Sequence, residues 1–226
     1  IERVFALFAD VILRPRFEPD RLALWRMQTL DAIRRRDEEP LTVARLAFDR
    51  VLFGATPYGR ALSQAAARRV ARADLIQAHR RFVRPDRAIL AVSGRVTSDD
   101  LARLARRYLG GWRGGAPLPP PPRLDYKPKP GIYFIEKPFE QATVLIGAPG
   151  PPRHAPDHFA ILVFNEVFGD GAFSSRLFNR VRAQLGLAYL AGGGIFEGLT
   201  RGRSMMALQT KAPGAGEAIG AAMEVL

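Results

Sequence analysis

The 226 residues are 47% hydrophobic and 25% charged, the balance of an ordinary globular protein with material for one large domain or two small ones. There is no cysteine, which excludes disulfides and thiolate metal sites, and no apolar run is long enough to span a membrane. The net charge of +12 comes mostly from arginines spread along helical patterns, such as Arg34-Arg35-Arg36, Arg68-Arg69 and Arg106-Arg107. No basic run is interleaved with stacking aromatics, which argues against nucleic acid as a partner and leaves open a basic cleft for acidic peptide segments.

Val4, Phe5, Leu7, Phe8, Val11 and Ile12 recur at helical spacing and predict a helix over 2–13, ended by Pro15. Phe17-Glu-Pro-Asp20 reads as a turn that caps a second helix, about 21–36, with Leu22, Trp25, Thr29, Ala32 and Ile33 as its apolar stripe. A third helix follows Pro40 over about 42–52, residues 54–60 form a loop, and helices follow over 63–69 and 72–82. After the Arg84-Pro-Asp86 turn, the nearly continuous apolar run Arg87-Ala-Ile-Leu-Ala-Val-Ser93 predicts a buried strand. Thr97 or Ser98 caps the next helix, and Asp99 and Asp100 lie in its electropositive first turn.

Glycine and proline then concentrate over 110–122, with four consecutive prolines at 119–122. This reads as a stiff linker, taken as 113–130, between a first domain over 1–112 and a second over 131–226. In the second, strands are predicted over 131–136 and 141–147, then a loop at 149–152 and an apolar helix over 158–168. The stretch 169–189 follows. It opens with glycines, and Ser174 or Ser175 caps a helix whose apolar face is Leu177, Phe178 and Val181. Arg180 and Arg182 occupy its last turns, and Gly186 breaks it. A strand over 187–196 comes next, in which Gly192-Gly-Gly194 allows a bend or the approach of another backbone. A strand over 204–210 and a helix from Ala215 complete the pattern, which suits an α+β fold with helices on one face of a mainly antiparallel sheet. The chain starts at Ile1 inside one apolar helical pattern and stops at Leu226 inside another, so it reads as a fragment. A leader peptide upstream therefore stays open, and neither bacterial periplasm nor cytoplasm is selected.

The run Ser174-Ser-Arg-Leu-Phe-Asn-Arg-Val-Arg-Ala-Gln-Leu-Gly-Leu-Ala-Tyr189 closely resembles the C-terminal-domain signature of the insulinase/pitrilysin-like zinc metallopeptidases, the inverzincins, to which mitochondrial processing peptidase and its bacterial homologues belong. Arg14-Pro-Arg-Phe17, Pro57-Tyr-Gly-Arg60 and the stretch Arg84 to Val96 extend the resemblance towards the first residue. It implies two α+β domains facing each other across a cleft. It also implies that Arg182 and Tyr189 hold the substrate carbonyl near the scissile bond, with Gly192, Gly193 and Gly194 keeping the cleft wall open for an extended peptide.

Family members that cleave hold zinc on a His-x-x-Glu-His helix, with a third ligand, a glutamate, on a later helix and another glutamate seven residues before it. Leu30-Asp-Ala-Ile33 followed by Asp37-Glu-Glu-Pro40 aligns that later helix, which puts the ligand position on Ala32 and the accompanying acidic position on Trp25. A shift by one residue would offer Asp31 but break the Ile33 and Pro40 matches. His154-Ala-Pro-Asp-His158 imitates the zinc motif, but Pro156 suits only the start of a helix, so His154 falls off the helical spacing. His79 reads as a lone histidine on an amphipathic helix, and Glu166, mid-helix after an apolar run, as a buried acid without a role.

Heteromeric members of the family divide the labour: one subunit carries zinc, and the other lacks the ligands but keeps the arginine–tyrosine pair. The resemblance thus implies a non-catalytic, substrate-binding subunit that binds no cofactor. Zinc is expected on a partner subunit with the His-x-x-Glu-His motif, and the substrate is a peptide or unfolded protein. The alternative is an inert scaffold or core protein of the same family.

Overall fold

The computed structural model describes residues 1–120 and 124–226, with the backbone alone for Ala172. Pro121 and Pro122 of the predicted proline linker lie outside the described residues. The helices are α1 (Glu2–Leu13), α2 (Pro19–Arg35), α3 (Pro40–Phe53), α4 (Gln64–Arg69), α5 (Arg72–Phe82) and α6 (Ser98–Leu109). Strand β1 (Gln141–Gly150) comes next, then α7 (His158–Asn165), which continues into wide π-helical turns over Glu166–Asp170. Helix α8 (Arg176–Phe178) likewise widens into a π-helix over Asn179–Gln184. Strands β2 (Ala188–Phe196) and β3 (Gly202–Lys211) and helix α9 (Ala215–Met223) complete the chain. The α+β class expected from the sequence is the one observed.

The chain forms two compact units. One comprises residues 1–33 and 62–120; the other comprises 34–61 and 121–226. The division differs from the sequence expectation in that 34–61, with α3, groups with the C-terminal residues. In the first unit Phe5 and Ala9 of α1 are buried, as is Leu104 of α6, and Phe5 lies against Tyr108 with ring centroids 6.1 Å apart. His79 Nε2 donates to the Ile12 carbonyl at 2.7 Å, so this histidine spends its polarity on fixing α5 to the end of α1. The buried Arg84 pairs with Asp86 at 2.7 Å and donates to the carbonyls of Gly115 and Ala116, which pins the 110–116 loop.

The second unit is built on an antiparallel sheet of order β1-β3-β2. One face carries Val144, Ile146, Met206 and Leu208, and packs with Phe168, Leu177, Val181 and the alanines of α9 as its core. Helix α3 lies on the other face: a Cβ on Gly147 would meet the Phe48 ring at 2.8 Å, and Arg203 Nη1 reaches Asp49 at 2.5 Å.

Two predicted strands are absent as strands. Arg87 closes a 3-10 turn that begins at Pro85, Gly131 is a bend, and residues 88–93 and 132–136 carry no regular secondary structure and join no ladder. Ile89 is 97% exposed, and Ile132 and Phe134 are 100% and 86% exposed. Their apolar runs have the composition of buried strands, but a strand exists only through a neighbour, and among the described residues neither stretch has one. The α2 stripe differs as well: Trp25 and Ala32 are exposed, and no residue of α2 is buried. Glu166 is exposed rather than buried.

Candidate functional site

The site grows from the start of α8. Ser175, fully buried, resolves the open choice of cap: its hydroxyl accepts from the Phe178 N–H at 3.4 Å, while Ser174 donates to the Gly171 carbonyl at 2.7 Å. Leu177 and Val181 are fully buried in the core, which fixes the rotation of the helix and turns Phe178 and Arg182, four residues apart, to the other side.

The helix stops at Gly186, whose φ of +63° lies in the left-handed region that favours glycine. The Leu187 N–H then bonds to the Val181 carbonyl at 2.9 Å, and the Gly186 N–H bonds to the Arg182 carbonyl at 3.1 Å. Thr210, buried on β3, donates its hydroxyl to the Leu187 carbonyl at 2.5 Å. The turn is therefore held from both sides.

Tyr189 follows at once and sits on a β-bulge. Ala188 faces Thr210 and Leu190 faces Gln209, so Tyr189 is the extra residue without a partner on β3. A bulge re-aims a side chain, and this one leaves Tyr189 73% exposed with its ring against Arg182. The Arg182 guanidinium carbon is 4.8 Å from the Tyr189 ring centroid and 4.9 Å from that of Phe178. Among the described residues the Arg182 guanidinium makes no hydrogen bond and no ion pair, and the Tyr189 hydroxyl is likewise uncommitted. Phe173, 74% exposed, meets Phe178 edge-on at 5.1 Å and extends the aromatic cluster. The sequence placed Arg182 and Tyr189 together; the bulge and the part played by Phe178 were missed, and the four-residue spacing from Phe178 to Arg182 was the available signal.

Gly192, Gly193 and Gly194 have a different use. Asn165 donates to the Ile195 carbonyl and accepts from its N–H, so it occupies the outer edge of β2. One turn on, a Cβ on Gly169 would lie 2.4 Å from the Gly193 oxygen, and one on Gly194 would lie 2.7 Å from the Asn165 side chain. The glycines thus admit the backbone of 165–169 against the strand edge, a means of covering an exposed edge. Close backbone approach, one of the two uses expected of the run, is the one observed.

The positions aligned with the zinc site do not fit a metal. Helix α2 is continuous from Pro19 to Arg35, so Trp25 and Ala32 share a face, and an indole and a methyl supply no lone pair for zinc. Among the described residues no three His, Asp or Glu side chains gather. The His154–His158 imitation dissolves: α7 begins at His158, His154 lies in the preceding loop at φ +67°, and His158 Nδ1 is spent on Glu197 at 2.6 Å.

The model of the peptidase M16 inactive domain matches residues 69–226. Uncharacterized zinc proteases of Mycobacterium leprae and Mycobacterium tuberculosis are 32% and 33% identical over 194 and 190 residues, which cover 84% and 81% of this chain and 43% of each relative. The crystal structure of a peptidase M16 inactive domain from Pseudomonas fluorescens superposes with a TM-score of 0.89 at 27% identity, over 99% of this chain and 55% of that one. The chain spans about half the length of the proteins it matches. It therefore belongs to the M16 metallopeptidase family, and from residue 69 onward it matches that family's inactive domain.

Proposed function

We propose that the protein is the non-catalytic, substrate-holding subunit of a heteromeric zinc endopeptidase, acting on peptides or unfolded proteins beside a zinc-carrying His-x-x-Glu-His subunit. The observation that carries this reading is the Arg182–Tyr189 pair: an arginine without a carboxylate partner among the described residues, 4.8 Å from an exposed tyrosine ring, on a turn fixed by Gly186 and Thr210. Both side chains have donors to spare for one carbonyl oxygen. Fixed donors matter most where charge develops on that oxygen, and removal of one typically raises a barrier by about 2.7–4 kcal/mol. The indole and methyl at Trp25 and Ala32 support placing the zinc on the other subunit. The carbonyl contact is assigned to Arg182 and Tyr189, and Gly192, Gly193 and Gly194 on the same strand are assigned to the wall along which an extended peptide would lie.

The test is hydrolysis of a quenched fluorescent peptide library by the full natural protein. It is run alone and mixed with a zinc-carrying M16 protein encoded beside it, with and without chelator. Chelator-sensitive cleavage only in the mixture supports the reading, and Arg182→Ala is then expected to lower turnover about 100-fold or more with folding unchanged. Cleavage by this protein alone would overturn the Ala32 assignment. Equal turnover by the Arg182→Ala pair would remove the role given to the arginine, and an inert scaffold protein would become the better account.

A further inference from the structure

We infer that Phe178 is a positioning residue for Arg182: its ring fixes the guanidinium toward Tyr189 and does so without consuming a single N–H donor. The role in turnover rests on the function proposed above; the contact itself does not.

An arginine side chain has several rotatable bonds, so an uncommitted guanidinium samples many orientations. The common remedy is a carboxylate, which orients the group by taking two of its donors and offsetting its charge. That remedy is absent here, since among the described residues Arg182 has no acidic or carbonyl partner. Two aromatic faces take its place, with the guanidinium carbon 4.9 Å from the Phe178 centroid and 4.8 Å from that of Tyr189. A cation over a ring face is attracted by the ring quadrupole, and a guanidinium lying against rings keeps its in-plane N–H edges free.

Phe178 suits the task because it is itself anchored. Its own N–H is the one that Ser175 caps, its neighbour Leu177 is fully buried, and Phe173 stands edge-on to it at 5.1 Å. Tyr189 is 73% exposed whereas Phe178 is half-buried, so Phe178 is the face held by its surroundings. The arrangement leaves a charged, oriented donor with unused hydrogen-bonding capacity, as a group that must bind a carbonyl only when substrate arrives requires.

Two measurements on the full natural protein test this. In the first, the Arg182 side-chain Nε–H resonance is followed by NMR with arginine labelling. The ring currents of Phe178 and Tyr189 should displace it, Phe178→Leu should move it toward the position of a free arginine, and Phe178→Tyr should restore it. A resonance unchanged in Phe178→Leu overturns the inference. In the second, turnover in the mixture with the zinc-carrying subunit is measured for Phe178→Leu, Arg182→Ala and the double variant. Phe178→Leu should lower kcat by roughly tenfold with little change in KM. The double variant should be no slower than Arg182→Ala, because a residue acting only through Arg182 has nothing left to lose. Multiplying losses would mean that Phe178 acts by general packing, and would overturn the inference. If Arg182→Ala leaves turnover intact, the proposed function fails, and the NMR measurement still decides whether Phe178 positions the arginine.

Discussion

Gly169 shows how much can hang on a missing side chain. It lies where the turns after α7 cross the edge of β2, and a Cβ there would stand 2.4 Å from the Gly193 oxygen and 2.6 Å from its nitrogen. Both neighbours are backbone of a paired strand and cannot swing aside. Gly169→Ala is therefore expected to destabilise the protein by about 1–3 kcal/mol, the usual cost of overpacking, read as a lower midpoint in urea with an unchanged slope. Ser175 works by a different means. It is fully buried and its hydroxyl satisfies the first turn of α8, so Ser175→Ala should cost about 1–2 kcal/mol in the same measurement. A loss near zero would mean that the turn finds another partner.

At the scale of elements, the Arg182–Tyr189 site is one continuous device: a capped helix start, wide turns over 179–184, a left-handed glycine and a bulged strand. The cap, the glycine and the pairing of Arg182 with Tyr189 were legible because each is a local choice written in residue type. The wide turns and the bulge were not. They arise where a helix packed through Leu177 and Val181 and a strand laddered to β3 must both be satisfied over a few residues, and no single residue announces that compromise. In the first unit the Arg84 clamp is a second such device. The Arg84 guanidinium beside Asp86 holds that carboxyl below the ordinary aspartate range, and Arg103, with Thr97 after it, does the same for Asp100.

For the whole molecule, the charge balance sets the response to acid. The chain carries +12 at neutral pH, with 34 basic residues against 22 acidic ones. Asp86 and Asp100 have folded pKa values below their unfolded ones, so the unfolded chain binds protons first as pH drops. Their contribution is fully present above the unfolded value and is lost as pH falls through the lower folded one, while loss of carboxylate charge adds to net repulsion. Urea unfolding between about pH 2.5 and 7 should thus show stability falling below about pH 4, with the part due to these two exposed carboxylates reduced by solvent screening. Asp86→Asn should be less stable than the natural protein at neutral pH and converge with it in acid; a constant gap would mean that Asp86 acts by packing rather than charge.

The sequence by itself determined the helices, their caps and breaks, the β1, β2 and β3 strands and the pairing of Arg182 with Tyr189. These follow from periodicity, turn chemistry and a long local motif. It determined residue type at positions 25 and 32 as well, which no fold can turn into zinc ligands. Only the tertiary structure decided which apolar stretches become strands. Residues 87–93 and 131–136 have the composition of β1 yet stay unladdered, because strand formation is settled by a neighbour's hydrogen bonds and not by the run itself. It also decided the use of Gly192–Gly194, since a glycine run permits several arrangements and the helix lying against the strand edge selects one. And it placed the Phe178 ring against Arg182, a contact that depends on how the core fixes the rotation of one short helix.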